Sequence, residues 1–167
     1  MGAADVGPMR RPLPVFLLIA AIAVTWTQAA FALVHGPSEG SQMRDRRLPK
    51  LAGRVVSYAR HQLGVAYHWG GTSPRTGFDC SGLVYAAYRS IGLKLPRSSW
   101  DQRRVGQPVG FARLRPGDLV FTEAGGHVQL VVSKSVAISA PQTGERVRYV
   151  QLAQLRPEFA GARRVLR

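Results

Sequence analysis

The only cysteine among the 167 residues, Cys80, lies in the run GFDCSGLV at residues 77–84. Asp79 is a favourable helix N-cap, and the apolar residues after Cys80 recur at helical spacing, so a helix is predicted to begin at the cysteine. Unsatisfied N–H groups and the aligned peptide dipoles give a helix N-terminus a positive potential, which lowers the pKa of a thiol there. Cys80 is therefore a candidate nucleophile, with a small buried hydrophobic residue as the alternative.

A cysteine nucleophile needs a base to take its proton, and the chain has four histidines. His127 follows two glycines and opens a predicted strand, so its backbone would be held rigidly while the glycines allow close approach of another segment. His35 lies in a polar linker, His61 is late on a predicted helix, and His68 is in a loop. We predict His127 as the base, with a structural histidine as the alternative.

The elements that must position these residues are helices followed by strands. Helices are predicted over residues 50–63 and 80–91, and a short one after Ser98 or Ser99, with an aromatic, glycine-rich loop over residues 67–78. Strands are predicted over residues 118–121, 127–132, 136–140 and 146–150. Helices followed by a run of strands indicate an α+β domain, with N-terminal helices packed on an antiparallel β-sheet.

The N-terminal segment has the composition of an export signal. Arg10 and Arg11 precede an apolar stretch, and Ala30-Phe31-Ala32 provides small residues for cleavage; an uncleaved membrane anchor is the alternative. A protein exported this way would be secreted to the cell wall or periplasmic space, where a single cysteine cannot form a disulfide within the chain. The predicted organisation is a signal peptide or anchor at 1–32, a linker at 33–48, a catalytic domain at 49–156 and a basic tail at 157–167.

The net charge of +14 favours anionic partners. The basic residues are scattered and match no nucleic-acid-binding motif, so anionic cell-wall polymers are the expected partners and nucleic acid is not. Membrane contact is expected only through an uncleaved N-terminal segment. The histidines are dispersed and there is one thiol, so no metal or other cofactor is expected. A monomer is the default expectation.

Four blocks of the sequence resemble, in order and spacing, the NlpC/P60 cysteine peptidases of bacterial cell walls. The blocks are YHWGGTSPRTGFDCSGLV at 67–84, LPRSSWDQ at 95–102, LRPGDLVF at 114–121 and GHVQLVV at 126–132. The resemblance implies a papain-like α+β core that hydrolyses peptidoglycan stem peptides, commonly between D-glutamate and the diamino acid that follows. It also implies Cys80 as nucleophile and His127 as base.

Three further site residues follow from the same resemblance, and a fourth from the aromatic loop. Tyr67, Asp79 and Ser81 match positions that border the pocket for the free amino end of the stem peptide. Trp69, in the aromatic loop, is a candidate substrate-binding residue for the wall polymer.

The sequence departs from the family pattern at the third catalytic position. The family most often has histidine in a stretch resembling IHAPxTG, whereas residues 138–144 read ISAPQTG and place Ser139 there. The family also often has glycine where this chain has Gln129. A serine hydroxyl can accept a bond from the imidazole and orient it, with a water molecule, Gln129 or Gln142 as possible compensation. The chain is therefore predicted to be a cysteine peptidase with Ser139 as third member, or a weak or inactive wall-binding module of the same fold.

Overall fold

The computed structural model describes residues 39–167. The helices are α1 Glu39–Arg60, α2 Cys80–Arg89, α3 Ser99–Gln102 and α4 Leu152–Leu155, with 3-10 turns at Phe111–Arg113 and Glu123–Gly125. The strands are β1 Thr72–Ser73, β2 Gly77–Phe78, β3 Gln107–Pro108, β4 Leu119–Thr122, β5 His127–Val131, β6 Val136–Ser139, β7 Arg148–Gln151 and β8 Gly161–Arg164. The predicted signal peptide or anchor and residues 33–38 of the predicted linker lie outside the described residues.

The described strands form an antiparallel sheet of six strands in the order β3-β8-β4-β5-β6-β7, and a separate pair made by β1 and β2. The four predicted strands correspond to β4, β5, β6 and β7, and the α+β class is confirmed. Because successive side chains of a strand point to opposite faces of the sheet, residues of β4 and β5 pack into two cores, one on each face of the six-stranded sheet. Leu119, Phe121 and Leu130 join the core that contains α2 residues, whereas Val120 and Val131 join the smaller core with Leu152.

The first helix is longer than its apolar pattern predicts. It begins at Glu39, so residues 39–48 of the predicted linker are helical, and it contains Pro49. Apolar periodicity reports only the part of a helix that packs on a core, as Val55 and Ala59 do here, so a polar N-terminal extension gives no such signal. No helix among residues 39–167 combines the length and apolar character required to cross a membrane.

The prediction of a loose basic tail at residues 157–167 is wrong. This segment contains β8, which lies inside the sheet between β3 and β4. Only Ala162 of this strand is fully buried, which is why its apolar pattern is weak. Its arginine side chains instead bind partners distant in sequence. Arg164 donates from Nε and Nη2 to the two oxygens of Asp118, at 2.8 and 2.7 Å.

The Arg164–Asp118 pair should therefore be a main determinant of C-terminal stability. The Asp118 side chain is 2% exposed and that of Arg164 is 27% exposed, so Arg164→Leu leaves a buried carboxylate without its cation. We expect a loss of about 2 kcal/mol or more and a fall in Tm of roughly 8 °C, measured by thermal unfolding. Arg104→Leu, at an exposed arginine, should change Tm little; equal effects of the two variants would contradict this role.

Candidate active site

Cys80 is the first residue of α2, as the sequence predicts. Asp79 is the N-cap in extended conformation, and its Oδ1 accepts from the Gly82 N–H at 2.6 Å. The thiol therefore lies in the first turn, where main-chain N–H groups have no partner within the helix. It is half-buried and packs against the core on the α2 face of the sheet.

The Asp79 carboxylate joins three segments at this point. Its Oδ2 accepts from the Gly70 N–H at 2.9 Å and from Arg97 Nη2 at 2.5 Å. Its Oδ1 accepts from Gly82 N, Ser81 Oγ and Arg97 Nη1. One buried carboxylate thus fixes the aromatic loop, the start of α2 and the segment before α3 against one another.

The glycine that follows Ser81 is required by close backbone approach. A Cβ on Gly82 would lie 2.0 Å from the carbonyl oxygen of Gly71, so any larger residue would separate the helix from the loop. The Asp79 N–H donates to this same Gly71 carbonyl at 3.3 Å. The D-C-S-G block therefore combines a cap, a thiol and the small residue that allows the loop to pack on the helix.

His127 is the first residue of β5 and lies beside Thr122 of β4 in the sheet register. Its Nε2 is 2.9 Å from the Ser139 hydroxyl oxygen on β6. The structure thus brings together the predicted base and the predicted third residue. Ser139 engages Nε2, and Nδ1 is the ring nitrogen nearer the main chain.

The turn before His127 has an unfavourable backbone conformation. Glu123 and Ala124 have φ angles of 51° and 55°, in the left-handed region that non-glycine residues seldom adopt. Residues at and after α3 hold this turn. Ser99 Oγ donates to the Gly126 carbonyl at 2.8 Å, and Arg103 Nη1 donates to the Ala124 carbonyl at 2.7 Å.

Glycine at 125 gives the close approach that the sequence predicts at this turn. A Cβ on Gly125 would lie 2.8 Å from Arg103 Nη1 and 3.2 Å from the Trp100 ring. The indole therefore packs on the turn while remaining about half exposed. Together these contacts fix the main chain from which the His127 ring projects.

Burial shifts the pKa values of the thiol and the imidazole in opposite directions. Burial raises the pKa of Cys80, contrary to the lowering that the sequence predicts at a helix N-terminus, because the N–H groups of Val128 and Ser81 only partly offset the effect of burial. Burial lowers the pKa of His127, and the carboxylate of Glu123 opposes it. Both shifts favour the neutral thiol and neutral imidazole over the charged pair. The bond from the Val128 N–H also means that the Cys80 sulfur lies near the main chain of Val128, the residue after His127.

The remaining predicted site residues lie near the start of α2. Tyr67 is close enough to Cys80 and Asp79 for burial and their negative charges to raise its pKa. Ser81 is buried and accepts from Arg97 Nη1 at 2.9 Å. Trp69 is 82% exposed, next to the Gly70 that binds Asp79.

Gln142 bonds Glu145 at the surface, so it is not the residue that supports Ser139.

Two residues of the LPRSSWDQ block, Arg97 and Gln102, make contacts that the sequence analysis does not predict. Arg97 binds Asp79, as described above. Gln102 is fully buried and donates to the carbonyls of Ser81 and Pro96 at 3.0 and 2.9 Å. Their separation of 18 to 21 positions from Asp79 and Ser81 leaves no local pattern, so their roles become visible only in the folded chain.

Within residues 39–167, no group of three or more His, Cys, Asp and Glu side chains is placed to hold a metal ion.

A thiol at the N-terminus of a helix, packed on an antiparallel sheet that carries a histidine, is the arrangement of papain-like α+β proteins. The sequence matches the NlpC/P60 family over residues 64–164, which is more than half of the chain. The chain therefore belongs to the NlpC/P60 family.

Individual relatives agree with this assignment. Murein DD-endopeptidase MepH of Escherichia coli (strain K12) is 39% identical over 115 residues, which cover 63% of this chain and 42% of that protein. Peptidoglycan endopeptidase RipA of Mycobacterium tuberculosis is 32% identical over 61% of this chain and 26% of its own length. The chain thus spans less than half of each of these two relatives.

Solved structures show the same fold. An NlpC/P60 family protein from Bacillus cereus has a TM-score of 0.64 and 35% identity, covering 70% of this chain and 40% of its own. The peptidoglycan hydrolase RipB from Mycobacterium tuberculosis has a TM-score of 0.67 and 27% identity, covering 92% of this chain and 87% of its own.

The contacts of Asp79 generate a prediction about acid stability. Burial alone would raise the Asp79 pKa, but bonds from Arg97, Gly82 and Gly70 outweigh it and lower the pKa. A lowered carboxyl pKa contributes stability above the unfolded value of about 4, and this stability is lost as pH falls through the folded pKa. Arg97→Leu removes a main cause of the lowered pKa, so we expect the variant to be less stable than the wild type at neutral pH, with the difference shrinking as pH falls and Asp79 becomes protonated. Denaturant unfolding followed by circular dichroism at a series of pH values measures this difference.

Arg75→Leu provides the control, since it removes one positive charge from an exposed loop position. It should have nearly the wild-type stability at each pH. A stability difference between Arg97→Leu and the wild type that stays the same from neutral to acid pH would show that this bond does not hold the Asp79 pKa down.

Proposed function

We propose that this protein is an exported cysteine endopeptidase that hydrolyses the stem peptides of peptidoglycan, with Cys80 as nucleophile, His127 as base and Ser139 orienting the imidazole. The observation that carries the proposal is the arrangement of the thiol at the start of α2, beside the main chain of β5, with His127 Nε2 held 2.9 Å from Ser139 Oγ. Relatives named as peptidoglycan endopeptidases support the substrate class and, with it, action outside the cytoplasm.

Acylation follows from the neutral resting pair. The Cys80 thiol gives its proton to His127 Nδ1 while the sulfur forms a bond to the carbonyl carbon of the scissile amide. The carbonyl electron pair moves to oxygen, and the free N–H groups of the first turn of α2 are its nearest fixed donors. The imidazolium then protonates the amide nitrogen, the C–N bond breaks, and the amine leaves.

Deacylation reverses the roles with water. His127 Nδ1 takes a proton from a water molecule as its oxygen attacks the thioester carbon. The C–S bond then breaks, and the thiolate recovers its proton from the imidazolium. The released product is a carboxylic acid, so atoms and charges balance without a metal or cofactor.

Two bonds are candidates for cleavage. The family resemblance favours the bond between D-glutamate and the diamino acid, with Tyr67, Asp79 and Ser81 bordering the pocket for a free amino end and Trp69 against the wall polymer. A carboxylate offers about four lone-pair sites, and five donors already bind that of Asp79. This saturation, and the relative named murein DD-endopeptidase, support the peptide cross-link as the second candidate, because cleavage there requires no free amino end.

Loss of the thiol should abolish hydrolysis. Incubation of the full chain with purified peptidoglycan should release soluble fragments, and Cys80→Ala should release none above background. Because Cys80 is the only cysteine in the chain, alkylation by iodoacetamide modifies one site and should have the same effect. Mass spectrometry of the fragments identifies the bond that is cut.

Gln142→Ala, at an exposed residue outside the proposed site, is the control and should retain wild-type release. Undiminished release by Cys80→Ala would contradict cysteine catalysis. Binding to cell walls without any release by the wild type would indicate the wall-binding alternative.

The pH dependence should reflect the shifted pKa of His127. Burial lowers this pKa, so the imidazole stays neutral and able to accept a proton below its usual value of about 6.5. We expect the acid limb of the kcat/KM profile below that pH. In Glu123→Gln, loss of the carboxylate that raises the His127 pKa should move this limb further toward acid. An acid limb above about 6.5, or a shift toward higher pH in Glu123→Gln, would contradict the assignment.

A further inference from the structure

Arg148 is an exposed cation that lies beside the proposed catalytic residues. It is on β7, the strand at one edge of the six-stranded sheet, and the β6–β7 register pairs it directly with Ser139. Paired residues on neighbouring antiparallel strands point to the same face of the sheet, with Cβ atoms roughly 4.5 to 5.5 Å apart. Ser139 Oγ in turn lies 2.9 Å from His127 Nε2. The imidazole, the hydroxyl and the guanidinium therefore follow one another across β5, β6 and β7 at the same end of the sheet.

The protein uses only part of this guanidinium. Arg148 Nε donates to Glu145 Oε2 at 3.1 Å, and the two side chains are 54% and 35% exposed, so the ion pair contributes little to stability. Neither Nη atom of Arg148 has a hydrogen-bond partner within residues 39–167. Arg97 and Arg164, by contrast, each bind a buried carboxylate through two nitrogens. The outer edge of the Arg148 guanidinium is thus free to bind an anion.

The charges around His127 determine where a negative group of a substrate can lie. Among the described charged groups that shift the pKa of His127, Glu123 and Glu158 raise it and Arg148 lowers it. A substrate carboxylate that enters beside the imidazole is repelled by the two glutamates and attracted by the arginine. The site therefore has a charge polarity, and Arg148 is its positive end.

We propose that Arg148 is a specificity-determining residue that binds a free carboxylate of the stem peptide near the scissile amide and discriminates against the neutral carboxamide. D-Glutamate supplies such a group, because it has two carboxyl groups and its amide bond to the next residue uses only one. A guanidinium binds a carboxylate through two parallel N–H···O bonds, whereas a carboxamide has one acceptor oxygen and no charge. The identity of the ligand as a stem peptide rests on the proposed function.

Two stem peptides that differ in one group test this role. One carries a free carboxylate on its D-glutamate and the other a carboxamide. A hydrogen bond to a charged group contributes about 10- to 100-fold, so the full chain should cleave the carboxylate peptide with a kcat/KM higher by that factor. In Arg148→Gln the preference should disappear, mainly because KM for the carboxylate peptide rises. Equal kcat/KM for both peptides in the wild type, or a preference that survives in Arg148→Gln, would overturn the proposal.

Binding without turnover separates this proposal from the proposed function. The full chain with Cys80→Ala should bind the carboxylate peptide about 10- to 100-fold more tightly than the carboxamide peptide, measured by isothermal titration calorimetry. Addition of Arg148→Gln should remove the difference. This result would support the role of Arg148 even if the wild type cleaved neither peptide. Equal affinities for the two peptides, or no binding of either, would overturn it.

Lys134→Gln is the matched control. It removes one positive charge from an exposed residue in the turn between β5 and β6, at the opposite end of these strands from His127 and Ser139. It should keep the wild-type preference between the two peptides, and Arg148→Gln should keep nearly the wild-type Tm because its ion pair is exposed. The same loss of preference in Lys134→Gln and Arg148→Gln would show that net charge decides, and would contradict a contact with Arg148.

Discussion

The Asp79 carboxylate is the interaction on which the rest of the site depends. It caps α2, binds the aromatic loop through Gly70, and binds the chain before α3 through Arg97. Because α2 begins immediately after it, the same group determines where Cys80 stands in the first turn. A neutral cap would satisfy the helix N–H but could not draw Arg97 into a two-oxygen bond. The position of the thiol therefore depends on charge as well as on helix geometry.

The histidine is positioned by a different device. Its strand is part of the central sheet, but the turn that leads into it contains two residues in left-handed conformation, which cost of order 1 to 3 kcal/mol each. Bonds from Ser99 and Arg103 and the packing of Trp100 hold that turn. The α3 region thus connects the two halves of the site, since Arg97 just before it binds Asp79. Any shift of this short segment would move the thiol and the imidazole relative to each other.

Local patterns predict the parts of this structure that local contacts form. The Asp79 cap, the start of α2 at Cys80, the Ser98 cap and the four consecutive strands β4 to β7 are all visible in the sequence because short-range spacing determines them. The polar half of α1 is not, since it has no apolar stripe. Strand β8 is missed because its half-buried arginines bind partners 46 to 60 positions away. The same limit applies to Arg97, whose role is defined by a carboxylate 18 positions earlier.

The two departures from the family pattern lie on neighbouring strands and have separate partners. Ser139 on β6 and Gln129 on β5 are 2% and 3% exposed, so close packing constrains the size of each side chain. The family resemblance most often has histidine at the first position and often glycine at the second, whereas this chain has a smaller serine and a larger glutamine. Gln129 Nε2 binds Thr122 Oγ1 on β4, and Ser139 Oγ binds His127 Nε2. Among the described residues the imidazole is therefore bonded by the serine hydroxyl, so an orienting role of the third position depends on that short side chain rather than on Gln129.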